Sequence, residues 1–326
     1  MLRILSRVRE WSRNHLGERQ MLTKEQLLDR KKGIGGSDVA AILGISPFKD
    51  STPLSVYLDK ISDEVVEKEM TPAMEFGNEA EPWLGDVYAR KQSVLVSPTS
   101  KTYNKVRYPF IIGTPDFFIA KPKCTPHKIL ECKTVGFHAA KNWDNGIPLY
   151  YLTQVAHYAM IFEMPVDVIA LINNEFKIFS YERNEELEAN LLAAEQKFWE
   201  QNVLVRVPPT ATCLADVKKL YKIAEPKKTI IATDEVDAAM YDMARLSKQI
   251  SALEEQKESL EFVVKNHIKD AEILLDKNGL RLATYASHKT TKFDSKAFSA
   301  AHPDLKAKFS KETDSRTFLN KIKETD

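Results

Sequence analysis

Only three cysteines occur in 326 residues, Cys124, Cys132 and Cys213. They are too few and too scattered for a disulfide framework or a zinc site, which leaves a reducing, cytoplasmic setting as the expectation. No apolar run approaches the ~20 residues of a membrane span. The opening MLRILSRVREW lacks the long apolar stretch and small-residue cleavage site of a secretory signal. Net charge is also scarce: 47 Lys and Arg against 46 Asp and Glu give +1. A polyanion would therefore have to be held by local patches rather than by an overall field.

Such patches exist. Residues 1–32 carry nine basic against four acidic side chains, and residues 281–326 ten against six, whereas 63–86 hold eight acids and only Lys68. A basic terminus is as often merely solvated as it is nucleic-acid-binding. Hydrophobic residues make up 43% of the chain and charged ones 29%, enough core for one large domain or two modest ones.

Spacing and turn chemistry divide the chain. Residues 1–32 read as basic helices. Gly33, Gly35 and Gly36 follow, then Ser37-Asp38, one of which is expected to cap a short helix that Gly44 stops. Glycines at that place either let backbone N–H groups approach a phosphate or simply allow a tight turn; the residues alone leave both open. Thr71-Pro72 opens a helix that carries Glu81, which by helix geometry alone reads as one of several exposed acids. Later, Leu152, Val155, Ala159 and Phe162 form an apolar helical stripe. Tyr151, Gln154 and Tyr158 lie beside it, and His157 is equally able to edge a core or to line a site. Strands over 166–172 and 175–181 meet at Asn173-Asn174, a two-residue hairpin turn. Val207-Pro208-Pro209 marks a boundary. Beyond it Leu246, Ile250, Leu253, Lys257, Leu260, Val264, His267, Ala271 and Leu274 repeat at alternating steps of four and three, the seam of a coiled coil over about 236–275.

The stretch Ile111 to Val135 carries the chemistry. Apolar runs over 110–120 and 128–135 flank a connector with Pro122 and Pro126, the pattern of a hairpin. Residues two apart in a strand face the same way, so Glu131 and Lys133 share a face while Cys132 points to the other. Asp116 in the first strand joins that polar face if the strands pair. Two carboxylates beside a lysine suit a hard cation such as Mg²⁺, the lysine positioning or activating a water. The ordinary alternative is a solvated face with a Glu–Lys pair. Pro115-Asp116 followed by Glu131-Cys132-Lys133 resembles the PD-(D/E)XK nuclease motif.

With GIGGSDVAAILGISPF, FGNEAEPW, GTPDF, LECKT and QVAHYAM in this order, the chain resembles the YqaJ-type viral recombinase nucleases, relatives of the lambda-phage exonuclease. The likeness covers about residues 30–200. It implies an α/β fold: a PD-(D/E)XK restriction-endonuclease-like core, a mixed central sheet flanked by helices, over 33–205, with a coiled-coil-containing helical extension over 206–326. It implies a DNA exonuclease that resects duplex ends from 5′ to 3′, dependent on Mg²⁺ with Mn²⁺ as a substitute. Asp116, Glu131 and the Cys132 carbonyl would ligate metal, with Glu81 as a helix carboxylate near it, which reverses the reading of Glu81 given above. Lys133 and Gln154 would complete the catalytic set; where the family often shows Q-x-Q, this chain has Ala156. Arg30, Ser37 and Thr114, with Gly35 and Gly36, match positions that hold a terminal DNA phosphate. Tyr151, His157 and Tyr158 would support the site. The implied partners are duplex DNA ends, a single-strand annealing protein and further copies of the chain in a trimeric ring, in a bacterial host cytoplasm and without a membrane. Two other readings stay open: a structure-specific or nicking endonuclease with the same site, and a non-catalytic adaptor for DNA ends or an annealing protein.

Overall fold

The computed structural model describes residues 24–64, 70–99, 101–121 and 125–322. Most of the basic N-terminal stretch, residues 1–23, and Cys124 lie outside the described residues. The chain forms two compact units, Met1–Leu220 and Tyr221–Asp326. Among the described residues no helix is long and apolar enough to cross a membrane.

In the first unit α1 (Lys24–Lys31) leads into the glycine turn. Ile34 forms a parallel bridge to Ile111: its N–H donates to the Phe110 carbonyl at 2.7 Å, and its carbonyl accepts from Ile112 N–H at 2.9 Å. A Cβ on Gly33 would lie 2.6 Å from the Phe110 carbonyl oxygen, so this close backbone approach requires glycine. Helix α2 (Gly36–Ile42) begins earlier than expected. Gly35, in extended conformation, is the cap, and Asp38 reaches back from the first turn to accept the Gly35 N–H at 2.9 Å. Neither Ser37 nor Asp38 is itself the cap. Two more helices have threonine caps, α3 (Pro53–Ile61) with Thr52 and α4 (Pro72–Gln92) with the expected Thr71, each with proline in the first turn.

The strands are β1 (Leu95–Pro98), β2 (Tyr103–Lys105), β3 (Tyr108–Gly113), β4 (Phe117–Ala120), β5 (Lys128–Val135), β6 (Val166–Ile172) and β7 (Glu175–Tyr181). A central five-stranded sheet runs β1-β4-β5-β6-β7, and β2 and β3 form a separate pair. Within the five-stranded sheet β5 and β6 run parallel and the other neighbours antiparallel. Their crossover contains α5 (Leu149–Phe162), the connection that parallel neighbours require. The two-residue turn between β6 and β7 is as expected, Asn173 and Asn174 both at positive φ. The run 110–120, expected as one strand, is two. It breaks at Thr114–Asp116 because β3 pairs with β2 and Ile34, whereas β4 pairs with β1 and β5. Asp116 therefore sits in a turn, not within a strand.

Two apolar layers clamp the sheet. On one face Ala80, Leu84 and Val87 of α4 meet Phe117, Leu130, Cys132 and Ile169. On the other, Val155 and Ala159 of α5 meet Ile129, Val166 and Val168, together with α6 (Glu185–Phe198) and the π-helical turn after it, Trp199–Leu204. This is the expected mixed sheet flanked by helices. A last helix of the unit, α7 (Leu214–Leu220), carries buried Asp216, which accepts a hydrogen bond from the Thr52 hydroxyl at 2.8 Å. The second unit contains α8 (Asp234–Ile268), the hairpin β8 (Ile273–Leu275) and β9 (Arg281–Thr284), and two short helices, α9 (Ser295–Ala301) and α10 (Pro303–Phe309). Helix α8 ends at Lys269, which takes φ 52°, so Ala271 and Leu274 leave the seam.

A buried ion pair ties α5 to α6 and to β3. His157 Nδ1 lies 2.9 Å from Glu195 Oε1 and its Nε2 lies 2.8 Å from the Ile112 carbonyl, with both side chains fully buried. A carboxylate and a carbonyl only accept, so both ring nitrogens donate and the ring is an imidazolium. Burial works to lower the His157 pKa, but the Glu195 carboxylate and the Ile112 carbonyl outweigh it and the net shift is upward. This stabilisation is therefore complete below the ordinary histidine value of about 6.5 and lost as pH rises through the folded-state value. Removing one partner of a buried pair costs about 3–5 kcal/mol. Glu195→Ala should lose about that much in urea unfolding at pH 6, and the gap from the wild type should narrow at pH 9. A gap independent of pH would contradict the charged pair.

Candidate active site

The polar cluster is built around Glu131. It faces α5 from β5, the middle strand of the sheet, and is 2% exposed. Its Oε1 accepts from Lys133 Nζ at 2.6 Å and from Gln154 Nε2 at 3.0 Å. Its Oε2 is buried without a hydrogen-bond partner. Burial and then the nearby Asp116 charge push the Glu131 pKa up to about 7, although Lys133 opposes them. Lys133 is itself shifted upward: burial disfavours its charge, but the Glu131 and Asp116 carboxylates prevail and hold it as an ammonium. The face of Tyr151 covers it, with Nζ 4.9 Å from the ring centroid.

Asp116 approaches from the turn before β4, its Oδ2 accepting the Cys132 N–H at 2.8 Å. The turn is held by a residue that no motif marked. Thr99, buried after β1, donates its N–H to the Asp116 carbonyl at 3.1 Å and its hydroxyl to the Pro115 carbonyl. A lone threonine has no spacing signal, and only the β1–β4 pairing brings it here. Cys132 points to the α4 side, as alternation requires. Its thiol pKa is raised well above the ordinary range, by burial first and then by the Asp116, Glu81 and Glu131 carboxylates. All three charges are thus felt at one point of β5, with Glu81 arriving from α4.

The glycine turn borders this cluster. A Cβ on Gly36 would lie 3.0 Å from both Gln154 Cγ and Tyr158 Cε1, so α2 starts directly against the two side chains. The buried Tyr158 hydroxyl takes a hydrogen bond from Gln154 Nε2 at 3.2 Å and donates to the Thr114 carbonyl at 3.4 Å. Burial, followed by the Glu131 charge, raises its pKa and keeps it a neutral phenol. The structure thus brings together Asp116, Glu131, Lys133, Gln154, Tyr151, Tyr158 and Gly36. Gly35 is the helix cap, Ser37 is exposed in the first turn of α2, and Thr114 is exposed with its hydroxyl 3.2 Å from that of Thr102. Arg30 is exposed near the end of α1, its carbonyl accepting from Lys60. His157 does not join the cluster, because both ring nitrogens are engaged by Glu195 and Ile112.

Among the described residues no group of three or more His, Cys, Asp or Glu side chains forms a metal cage. The donor set is instead the two carboxylates of Asp116 and Glu131. That composition suits Mg²⁺, which usually keeps several waters and takes one or two carboxylates plus substrate phosphate. The buried, unsatisfied Glu131 Oε2 is the atom such a cation would satisfy.

A model of the YqaJ-like viral recombinase domain family matches residues 26–165, a range that spans the glycine turn and every member of this cluster. The uncharacterized protein YqaJ of Bacillus subtilis (strain 168) is 30% identical over 308 residues, covering 92% of this chain and 94% of that protein. Among solved structures, an alkaline exonuclease (LHK-Exo) from Laribacter hongkongensis is similar with a TM-score of 0.48. It is 15% identical, covering 62% of this chain and 100% of that one. A phage-related exonuclease from Haemophilus somnus 129PT gives a TM-score of 0.39 at 14% identity, covering 53% and 96%.

The contact at Gly36 is testable without an assay of function. Gly36→Ala forces Gln154 or Tyr158 to give way and should cost about 1–3 kcal/mol, the usual range for overpacking. Combined with Gln154→Ala, which removes the Cγ in the way, the penalty should shrink in a double-mutant cycle of urea unfolding. Strict additivity would place the strain elsewhere.

Proposed function

This chain belongs to the YqaJ-like viral recombinase family, and from that membership we propose that it is a metal-dependent deoxyribonuclease that hydrolyses phosphodiester bonds at duplex DNA ends. The observation that carries the reading is Glu131 Oε2, a buried carboxylate oxygen with no donor, next to Asp116 and an ammonium. A burial so costly supports a cation-binding role better than a structural one.

Asp116, Glu131 and the Cys132 carbonyl would hold a divalent cation such as Mg²⁺, with Glu81 close by. When bound, that cation supplies charge neutralisation for the scissile phosphate and acidifies coordinated water. The protein's own residues supply the rest. Lys133, held as an ammonium by the two carboxylates while no cation is bound, donates hydrogen bonds. It orients the attacking water and stabilises charge developing on the phosphate. Gln154 fixes the rotamer of Glu131 while Tyr158 fixes Gln154, and Thr99 holds the Asp116 turn. The products would be nucleotides bearing 5′ phosphates. Resection from 5′ to 3′, delivery of the exposed strand to an annealing protein and a trimeric ring all belong to this proposal. Arg30, Ser37, Gly35, Gly36 and Thr114 are its terminal-phosphate contacts.

The test uses end-labelled linear duplex and covalently closed circular DNA with Mg²⁺. Linear DNA alone should be consumed. Nicking of the circle would favour the endonuclease reading, and binding without cleavage of either would favour the adaptor. Asp116→Asn, Glu131→Gln and Lys133→Ala should each lower the rate by on the order of 100-fold or more with DNA binding retained; an active Lys133→Ala would remove that residue from the mechanism.

The phosphate contacts have their own test. Duplexes with a 5′ phosphate should be preferred over 5′-hydroxyl ends. Arg30→Ala should slow the phosphorylated substrate alone, by about ten- to a hundredfold, the loss of one charge-assisted contact. Equal slowing on both ends would reduce Arg30 to a generic backbone contact.

A further inference from the structure

We propose that Lys60 is a positioning residue for recognition of a DNA end. It joins the two segments that carry the terminal-phosphate contacts and cancels the charge of Asp38 beside them. The inference rests on the contacts assigned above to Arg30, Gly35, Gly36 and Ser37, and it adds a residue from a third element, α3.

Lys60 stands in the last turn of α3 with its side chain only 4% exposed. An ammonium so nearly buried is costly unless acceptors surround it. Its Nζ lies 2.7 Å from Asp38 Oδ2, donates to the Arg30 carbonyl at 3.1 Å and lies 3.7 Å from Asp59 Oδ2. The same Asp38 Oδ2 accepts the Gly35 N–H at 2.9 Å. One ammonium thus bridges the end of α1 and the start of α2, through a backbone carbonyl on one side and a capping carboxylate on the other. Helix α1 is fixed to α3 in return by Lys31. Its Nζ donates to the Asp59, Ser62 and Glu64 carbonyls at 3.1, 3.3 and 2.8 Å, carbonyls left open where α3 ends.

The charges in these segments are matched pair by pair. Lys32 faces Asp29 at 2.7 Å, Lys31 faces Asp59 at 3.4 Å, and Lys60 faces Asp38. Among the described residues no carboxylate pairs with Arg30, so its guanidinium is the cation left to meet a phosphate. Asp38 is the hazard. It holds the glycine turn, but an uncompensated carboxylate there would repel a terminal phosphate and attract the Arg30 guanidinium. Lys60 lets the carboxylate stay while its charge is offset. A 5′-hydroxyl end, lacking the terminal dianion, depends on that balance far less.

Binding of 5′-phosphorylated and 5′-hydroxyl duplexes is compared by competition against a labelled duplex. Mg²⁺ is present, and a full-length Glu131→Gln parent keeps the ends intact. The parent should prefer the phosphorylated end. Lys60→Met keeps the apolar stem and removes the charge. It should weaken binding of the phosphorylated end by about tenfold or more and of the hydroxyl end far less. Adding Asp38→Asn removes the unpaired charge and keeps an oxygen for the Gly35 N–H, so the preference should return. A tie that is only structural would weaken both ends alike and gain nothing from Asp38→Asn. Equal losses on both ends, an unchanged preference in Lys60→Met, or a double variant no better than Lys60→Met would each overturn the role of Lys60. A parent without any preference would overturn the terminal-phosphate contacts and this role with them. The preferences expected here, found in a chain whose wild type degrades no DNA, would support Lys60 and remove the nuclease reading alone.

Discussion

A carboxylate buried inside a sheet is costly unless something compensates its charge, and much of the first unit answers to the one on Glu131. Lys133 is close because strand geometry returns to the same face every two residues. Gln154 is close because the crossover between two parallel strands must be long enough to contain a helix, and that helix lies over the same face. Tyr158, one turn beyond Gln154, holds it through the phenol and continues the chain of hydrogen bonds to the Thr114 carbonyl. The lack of a side chain at Gly36 then lets α2 start against both. A chain of local requirements thus begins at one acid and ends at a glycine turn nearly a hundred residues earlier.

The second carboxylate is held differently. Asp116 lies where the chain leaves one sheet and enters another, so its position depends on what fixes that break. On one side β3 is tied to Ile34, and on the other β4 is paired with β1 and β5. Thr99 spans the gap by engaging two successive carbonyls, Pro115 and Asp116. A turn clamped at both ends can present a carboxylate to Cys132 N–H and to a neighbouring charge without the pleat dictating where it points. The rigid strand supplies Glu131 and Lys133; the clamped turn supplies the partner.

What could be read from the sequence is what depends on neighbours a few residues away. The shared face of Glu131 and Lys133 follows from the period of a strand, the Asn173-Asn174 hairpin from residues that tolerate positive φ, and the cap Thr71 from a short polar side chain ahead of proline. The break at Thr114 was not readable, because the apolar run continues through it and only the competing pairings divide it. Thr99 and Glu195 were not readable either. Each acts on a residue far away in the chain, and neither has a periodic signature. The cap of α2 was misread for a subtler reason: Asp38 does bond the helix start, but from inside the first turn rather than from the cap itself. The helix expected over about 236–275 runs over 234–268, since heptad spacing continues past the point where Lys269 leaves the helix.

The charge states at the centre restrict how the cluster can work. Lys133 is held as an ammonium by two carboxylates even though burial opposes its charge. With no cation present it therefore has protons to donate and no lone pair with which to take one. Glu131 stands in the opposite position. Burial and the Asp116 charge disfavour its ionised form and push its pKa up to about 7. Anything positive placed between Asp116 and Glu131 relieves the repulsion between them and favours ionisation of both. The ammonium of Lys133 is the compensation for those two carboxylates that the protein supplies itself.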